Sequence, residues 1–120
     1  MRAYTVATAA FTLRMPVKWV DNLLSHHQLR GVTGGTQGHA RRLSLDAIVT
    51  LAVALSLWKT LRAPIRSCLQ IAESLEDGKH IAGDGIVVSV PLASIRAEIV
   101  DRLSHAVETV PVPRRGRPRG

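Results

Sequence analysis

Most of the side chains that could take part in binding or catalysis are basic, and they are concentrated at the two ends of the chain. The sequence contains 16 lysines and arginines against nine acids, with a net charge of +7. Residues 1–42 hold six basic side chains and one acid, and residues 111–120 hold four arginines and no acid. Charge segregated in this way creates a local positive potential, for which a polyanion is the commonest partner. The sequence therefore favours nucleic acid as the partner.

Patterns that would support catalysis or metal binding are not found in the sequence. The five histidines and Cys68 lack the spacing of zinc ligands. The glycine-rich segment 31–38 lacks the Gly-Lys-Ser/Thr ending of a phosphate-binding loop. Acids such as Asp21 and Glu73 have no paired carboxylate for general acid–base work, and they are interpreted as solvated. We therefore expect neither an enzyme nor a metal or cofactor site.

The cellular compartment is indicated by the cysteine and by the apolar stretches. Cys68 is the single cysteine, so no intramolecular disulfide can form, and a reducing cytoplasm fits best. The most apolar stretch, residues 47–58, is 12 residues long. A membrane span needs about 20 apolar residues, so this stretch is interpreted as a buried helix. The expectation is a cytoplasmic, nucleoid-associated protein with no membrane partner.

Hydrophobic spacing predicts a mainly α fold around these basic residues. Helices are predicted over 5–13 and 16–27, with a tight turn between them. A third helix, capped by Ser44, is apolar nearly all round and should be central. Pro64 starts a fourth helix, which is expected to end at Gly78.

Glycine-rich turns predict two β-hairpins, and a last helix follows them. Short β-compatible segments flank residues 34–38, and a second such pair flanks residues 83–85. Pro91 then opens a fifth helix with an apolar stripe, and Pro111 forbids its continuation.

The order of helix, turn, polar-faced helix, glycine-rich hairpin and capped apolar helix is typical of a winged helix-turn-helix with a β-hairpin wing. Within it, the stretch from Tyr4 to Leu75 resembles the DNA-binding domain of the MerR and excisionase-like family. Four short motifs carry the resemblance: Tyr4-Thr5-Val6, Val17-Lys18-Trp19-Val20, Arg41-Arg42-Leu43-Ser44 and Leu61-Arg62-Ala63-Pro64. The resemblance implies a bacterial protein that binds double-stranded DNA, and a transcriptional regulator is the expected function.

The resemblance also implies roles for single residues. It places the second helix in the major groove and the wing arginines on the phosphate backbone. Lys18 and Asn22 are thereby assigned to helix contacts, and Arg41 and Arg42 to wing contacts. At positions 21 and 22 the family often has an arginine and a tyrosine, where this chain has Asp21 and Asn22. Further candidate DNA contacts nearby are Arg14, Trp19, Thr36, Gln37 and His39. Core packing is the favoured role for Trp19.

The C-terminal residues 111–120 form a basic segment with a second motif. Arg115-Gly116-Arg117-Pro118 resembles an AT-hook, in which arginines enter the minor groove of A·T-rich DNA. The candidate contacts in this segment are Arg114, Arg115, Arg117 and Arg119. A generic basic arm that binds any phosphate is the alternative interpretation.

We divide the chain into a winged helix-turn-helix at 1–77, a hairpin and helix at 78–110, and a disordered basic tail at 111–120. The middle part could form a homodimer, because a two-stranded hairpin is marginal alone and the fifth helix has an apolar stripe. The alternative is that both elements pack on the third and fourth helices of their own chain. Two other functions stay open: an excisionase-like architectural factor for recombination, and a protein-interaction adaptor that uses residues 79–107.

Overall fold

Helices form most of the fold, and two small sheets separate them. The computed structural model describes residues 2–36 and 38–109, except for the side chains of 82 and 107–109. In chain order its elements are β1 (Ala3–Thr5), α1 (Val6–Leu13), α2 (Val17–His26), β2 (Val32–Thr33), β3 (Arg42–Ser44), α3 (Leu45–Leu61), α4 (Ile65–Glu73), β4 (Lys79–Ala82), β5 (Ile86–Ser89) and α5 (Leu92–Thr109). The expectation of a mainly helical protein with two hairpins is confirmed for these residues.

A cap and a tight turn define the first pair of helices. The backbone N–H of Thr8 donates to Oγ1 of Thr5 (3.1 Å), which satisfies one of the unpaired donors at the start of α1. α1 ends at Arg14, whose backbone is left-handed (φ 59°) and whose N–H donates to the carbonyl of Phe11 (3.1 Å). Pro16 then precedes α2, where its restricted φ suits the entry to a helix. The predicted helix, turn and second helix are therefore present.

β3 is the central strand of a three-stranded antiparallel sheet with the order β1-β3-β2. Arg42 of β3 is paired with Thr5 on one side and with Thr33 on the other. The predicted hairpin accounts for β2 and β3, but β1 was not predicted. A strand of three residues is too short to show the alternation by which strands are recognised. β1 therefore depends on a partner that lies about 40 residues away in the sequence.

α3 lies at the centre of the core, as its apolar sequence predicted. The core side chains of α3 with at most 1% exposure are Ala47, Ile48, Leu51, Val53 and Ala54. α4 packs along α3, and α1 contacts it from another side. Neighbouring helices cover most of the surface of α3, which explains why its sequence is apolar nearly all round.

α4 ends earlier than the sequence predicted. Its last residue is Glu73, whereas the predicted end was Gly78. At its end the backbone N–H of Ser74 donates to the carbonyls of both Gln70 (3.1 Å) and Ile71 (3.0 Å), a shared bond that is common at helix termini. Gly78, with φ +77°, lies instead in the turn that leads into β4. β4 and β5 form the expected antiparallel hairpin.

α5 folds back onto its own chain, where it packs mainly against α1 and α3. Ile99 and Leu103 of α5 are buried in the common core. Nη1 of Arg102 donates to the carbonyl oxygen of Thr12 in α1 (3.2 Å). Of the two alternatives for the apolar stripe of α5, the structure shows packing within the chain, on α3 as expected but on α1 where the fourth helix was expected. Among the described residues, no helix is both long and apolar enough to cross a bilayer.

Candidate nucleic-acid interface

The outer face of α2 carries the first group of candidate residues. Val20, Leu23 and Leu24 turn into the core, which leaves Lys18 and Asn22 exposed one turn apart on the opposite side. The helix therefore presents an ammonium donor and a carboxamide side by side. Both groups can make the hydrogen bonds by which base edges are read.

His26 extends this row by one more turn, although the sequence interpretation did not include it. Its Nδ1 lies 2.8 Å from the carbonyl oxygen of Asn22 and can donate to it. In the neutral ring this bond leaves Nε2 as an acceptor. The spacing of four residues from Lys18 to Asn22 to His26 was the signal that could have identified it. We call Lys18, Asn22 and His26 the α2 row.

A second group lies on the wing, the loop between β2 and β3 together with those strands. Thr36, His39 and Arg42 are exposed and line one hollow of about 560 Å³. The loop crosses itself closely, because a Cβ at Gly34 would lie 2.1 Å from the carbonyl oxygen of Ala40. The structure thus brings three of the predicted wing residues together on one surface.

Arg41 has different surroundings from its neighbour Arg42. Nη1 of Arg41 donates to Oδ1 of Asp21 in α2 (3.0 Å), and only 21% of the arginine side chain is exposed. Asp21 remains solvated, with 51% of its side chain exposed, but it is also paired, which the sequence did not indicate. The two residues are 20 positions apart, so their pairing depends on how the wing folds against α2. Arg42, which was assigned to the wing contacts together with Arg41, is exposed.

Two other candidates lie away from these groups. The ring of Trp19 packs against that of Trp58, with 5.5 Å between the ring centroids, so the favoured packing role fits its position. Arg14 lies beside α5, where it lines a cavity together with Asp101 and Arg102. Gln37 and the arginines of the C-terminal segment lie outside the described residues.

A separate cleft of about 460 Å³ lies between β3, α3, α4 and α5. Its charged lining is already paired, since Arg30 bonds Glu73 and Arg96 bonds Asp46 (2.7 Å). In the part of the chain that the structure describes, no group of three or more histidine, cysteine or acidic side chains could hold a metal ion. The α2 row and the wing therefore remain the strongest candidate site.

Comparison with known proteins adds no relative to this description. No family model matches the sequence, and neither a curated protein nor a solved structure matches the chain. The functional argument therefore rests on the residues themselves. The α2 row, the exposed Arg42 and the basic charge of the N-terminal segment are its foundation.

Proposed function

We propose that the protein binds double-stranded DNA at specific sequences and acts as a transcriptional regulator. The observation that carries the proposal is the arrangement of two exposed polar surfaces beside each other. α2 presents Lys18 and Asn22, and the Asp21–Arg41 ion pair joins α2 to the wing that bears Arg42. In this proposal the N-terminal part is a winged helix-turn-helix of the MerR and excisionase-like kind.

The chemistry of α2 suits the major groove, which is wide enough to admit one helix. The ammonium of Lys18 can donate to O6 and N7 of guanine. The carboxamide of Asn22 can make two hydrogen bonds to adenine, accepting from N6 and donating to N7. Arg42 can bind the adjacent phosphates through its guanidinium. Helix contacts would then specify the sequence, and the wing contact would mainly add affinity.

Charge outside these groups supports the same proposal. The segment 1–42 has a net charge of +5, from six basic residues and one acid. The C-terminal segment 111–120 adds four arginines, and its AT-hook-like motif is proposed to bind the minor groove beside the main site. Linking two weak contacts in one chain raises the overall affinity, because the second contact forms at high effective concentration.

The test compares single substitutions in the two groups. Lys18→Ala and Asn22→Ala should each change which base is preferred at one position of the site, at a cost of about 1–3 kcal/mol. Arg42→Ala should weaken binding to every duplex and reduce the slope of log affinity against log salt by about 0.9. Random-site selection with the full chain measures the first effect, and fluorescence anisotropy over a salt series measures the second.

Lys79→Ala is the matched control, because it removes one exposed positive charge on β4, outside both groups. This variant should keep the selected sequence and the salt slope of the wild type. An unchanged site preference in the Lys18 and Asn22 variants would exclude α2 as the reading helix. Absence of duplex binding at low salt would refute the proposed function.

One observation favours a second function, that of a protein-interaction adaptor. The hairpin β4–β5 exposes large apolar side chains, with 70% of Ile81, 68% of Ile86 and 55% of Val87 accessible. Ile81 and Val87 are paired across the hairpin and share one face, whereas Ile86, next to Val87 in β5, lies on the other face. Exposed large apolar side chains of this kind are typical of protein contact sites. An adaptor would show no steep loss of duplex affinity with salt, so the same titration separates the two functions.

A DNA-bending measurement separates a regulator from an architectural factor.

A further inference from the structure

Arg41 and Arg42 are adjacent in sequence but differ in what surrounds them. Neighbouring residues of an extended chain point to opposite sides, so one of the two arginines must face the protein. Arg42 is exposed, whereas Arg41 turns toward α2 and donates to Asp21 (3.0 Å). An arginine whose charge is already balanced has little to offer a phosphate.

Arg41 also lies across the wing loop. A Cβ at Gly35 would lie 2.9 Å from Nε and 3.1 Å from Cγ of Arg41, so the arginine passes over this glycine at contact distance. The backbone N–H of Gly35 donates to the carbonyl oxygen of His39 (2.8 Å), which closes the loop. Arg41 therefore contacts the loop at Gly35 and α2 at Asp21.

We propose that Asp21 and Arg41 are a positioning pair that holds the wing against α2, and that Arg41 is not itself a phosphate contact. The proposal rests on the proposed function, since the value of the pair is the spacing it sets between the α2 row and Arg42. β1 supports β3 in the sheet, but the outer strand β2 is only two residues long and has few ladder hydrogen bonds to hold the loop. Fixing the two surfaces before binding reduces the ordering cost that association would otherwise include.

The opposite role for Asp21 is competition, in which it occupies Arg41 until a phosphate displaces it. The two roles differ in the sign of the coupling between the residues. With positioning, Arg41 matters only while Asp21 is present, because each residue acts through the other. With competition, Arg41 matters more once Asp21 has been removed. A double-mutant cycle measures this sign directly.

The experiment measures affinity for a labelled mixed-sequence duplex with Asp21→Ala, Arg41→Ala and the double variant. We expect Arg41→Ala to weaken binding about tenfold in the wild-type background, with almost no further effect when Asp21 is already alanine. The salt slope should stay unchanged in Arg41→Ala. Arg42→Ala is the matched control, and it should lower the slope by about 0.9 in both backgrounds.

Two results would overturn the positioning role. One is a larger cost of Arg41→Ala in the Asp21→Ala background than in the wild type. The other is a slope reduced by about 0.9 in Arg41→Ala, which indicates a lost phosphate contact. Asp21→Asn, which keeps the shape of the side chain and removes its charge, repeats the cycle with less risk to folding.

Hydrogen exchange of the free protein tests the Asp21–Arg41 pair independently of DNA binding. The amide of Gly35 should exchange about tenfold faster in Asp21→Ala and in Arg41→Ala, because the loop loses its attachment to α2. Arg42→Ala should leave this rate unchanged. Unchanged exchange in the first two variants would refute the pair even if DNA binding stands. Absence of duplex binding by the wild type would refute the function and leave exchange to decide the pair.

Discussion

Individual arginines of this chain differ in whether a carboxylate already neutralises them. The ion pairs that the structure shows are Arg30–Glu73, Arg41–Asp21, Arg96–Asp46 and Arg102–Glu98. Only the last pair has the four-residue spacing that can be read from a helical sequence. Among the described residues, Lys18 and Arg42 have no such ion pair, which makes them the more available cations of the proposed interface.

Cys68 is a second residue whose chemistry depends on its surroundings. Its side chain is buried in the core, and burial raises the pKa of the thiol because the thiolate loses its hydration. We expect a thiol-reactive disulfide reagent to label Cys68 slowly at mildly alkaline pH in the native protein, and quickly in urea. The absorbance of the thiolate that leaves the reagent when Cys68 attacks its disulfide measures both rates.

The raised pKa of the Cys68 thiol also makes the stability of the fold depend on pH. Its contribution is fully present below the pKa of the unfolded state and is lost as the pH rises through the folded-state pKa. Labelling at equal rates in native and unfolded protein would contradict the burial of this thiol. Labelling in urea is the control, because the same reagent meets the same cysteine without its surroundings.

At the scale of elements, capping hydroxyls mark the start of α1 and α3, whereas prolines precede α2 and α4. Ser44 shows this at the junction between β3 and α3. Its N–H donates to the carbonyl oxygen of Gly31 (2.8 Å), and its Oγ accepts from the N–H of Ala47 (3.1 Å). A Cβ at Gly31 would lie 2.3 Å from this Oγ, so Gly31 leaves room for the capping hydroxyl. One serine thus connects the sheet that carries the wing to the central helix.

Ser44→Ala should lower the free energy of unfolding by about 1 kcal/mol, because the N–H of Ala47 loses its capping partner. Urea denaturation followed by circular dichroism measures the change. Ser56→Ala is the control, since Ser56 is exposed within the same helix and alanine suits a helix interior. Equal stability of Ser44→Ala and the wild type would show that the cap contributes nothing.

At the scale of the whole molecule, α5 belongs to the same core as the proposed DNA-binding part. Ile99 and Leu103 lie in one hydrophobic cluster with Leu13 of α1 and Leu51 of α3. The division of the chain at residue 78 therefore describes the sequence pattern, while the packing joins both sides. Unlike Ile99 and Leu103, the large apolar side chains Ile81, Ile86 and Val87 of the hairpin β4–β5 are exposed.

Leu103→Ala should lower the free energy of unfolding by about 2–5 kcal/mol, because it leaves a cavity where α5 meets the core. Urea denaturation at several protein concentrations measures this loss. Val100→Ala, on the exposed side of the same helix, should have little effect. An unfolding midpoint that rises with protein concentration would instead indicate that a second copy holds α5.

The sequence by itself determined the features that depend on neighbouring residues. The caps Thr5 and Ser44, the turn before Pro16 and the hairpin at 83–85 were predicted, because each involves a bond or a backbone preference within a few positions. The apolar character of α3 likewise predicted its burial. The roles of Lys18, Arg41 and Arg42 in the candidate interface, by contrast, were implied by the family resemblance.

Only the tertiary structure decided which of these groups meet. It paired Asp21 with Arg41, separated the roles of two adjacent arginines, added β1 to the sheet and packed α5 against α1. Each of these contacts joins residues far apart in sequence, and several side chains of the same type could compete for each position. Their selection depends on the path of the whole chain and on the burial of a common core, which no local pattern contains.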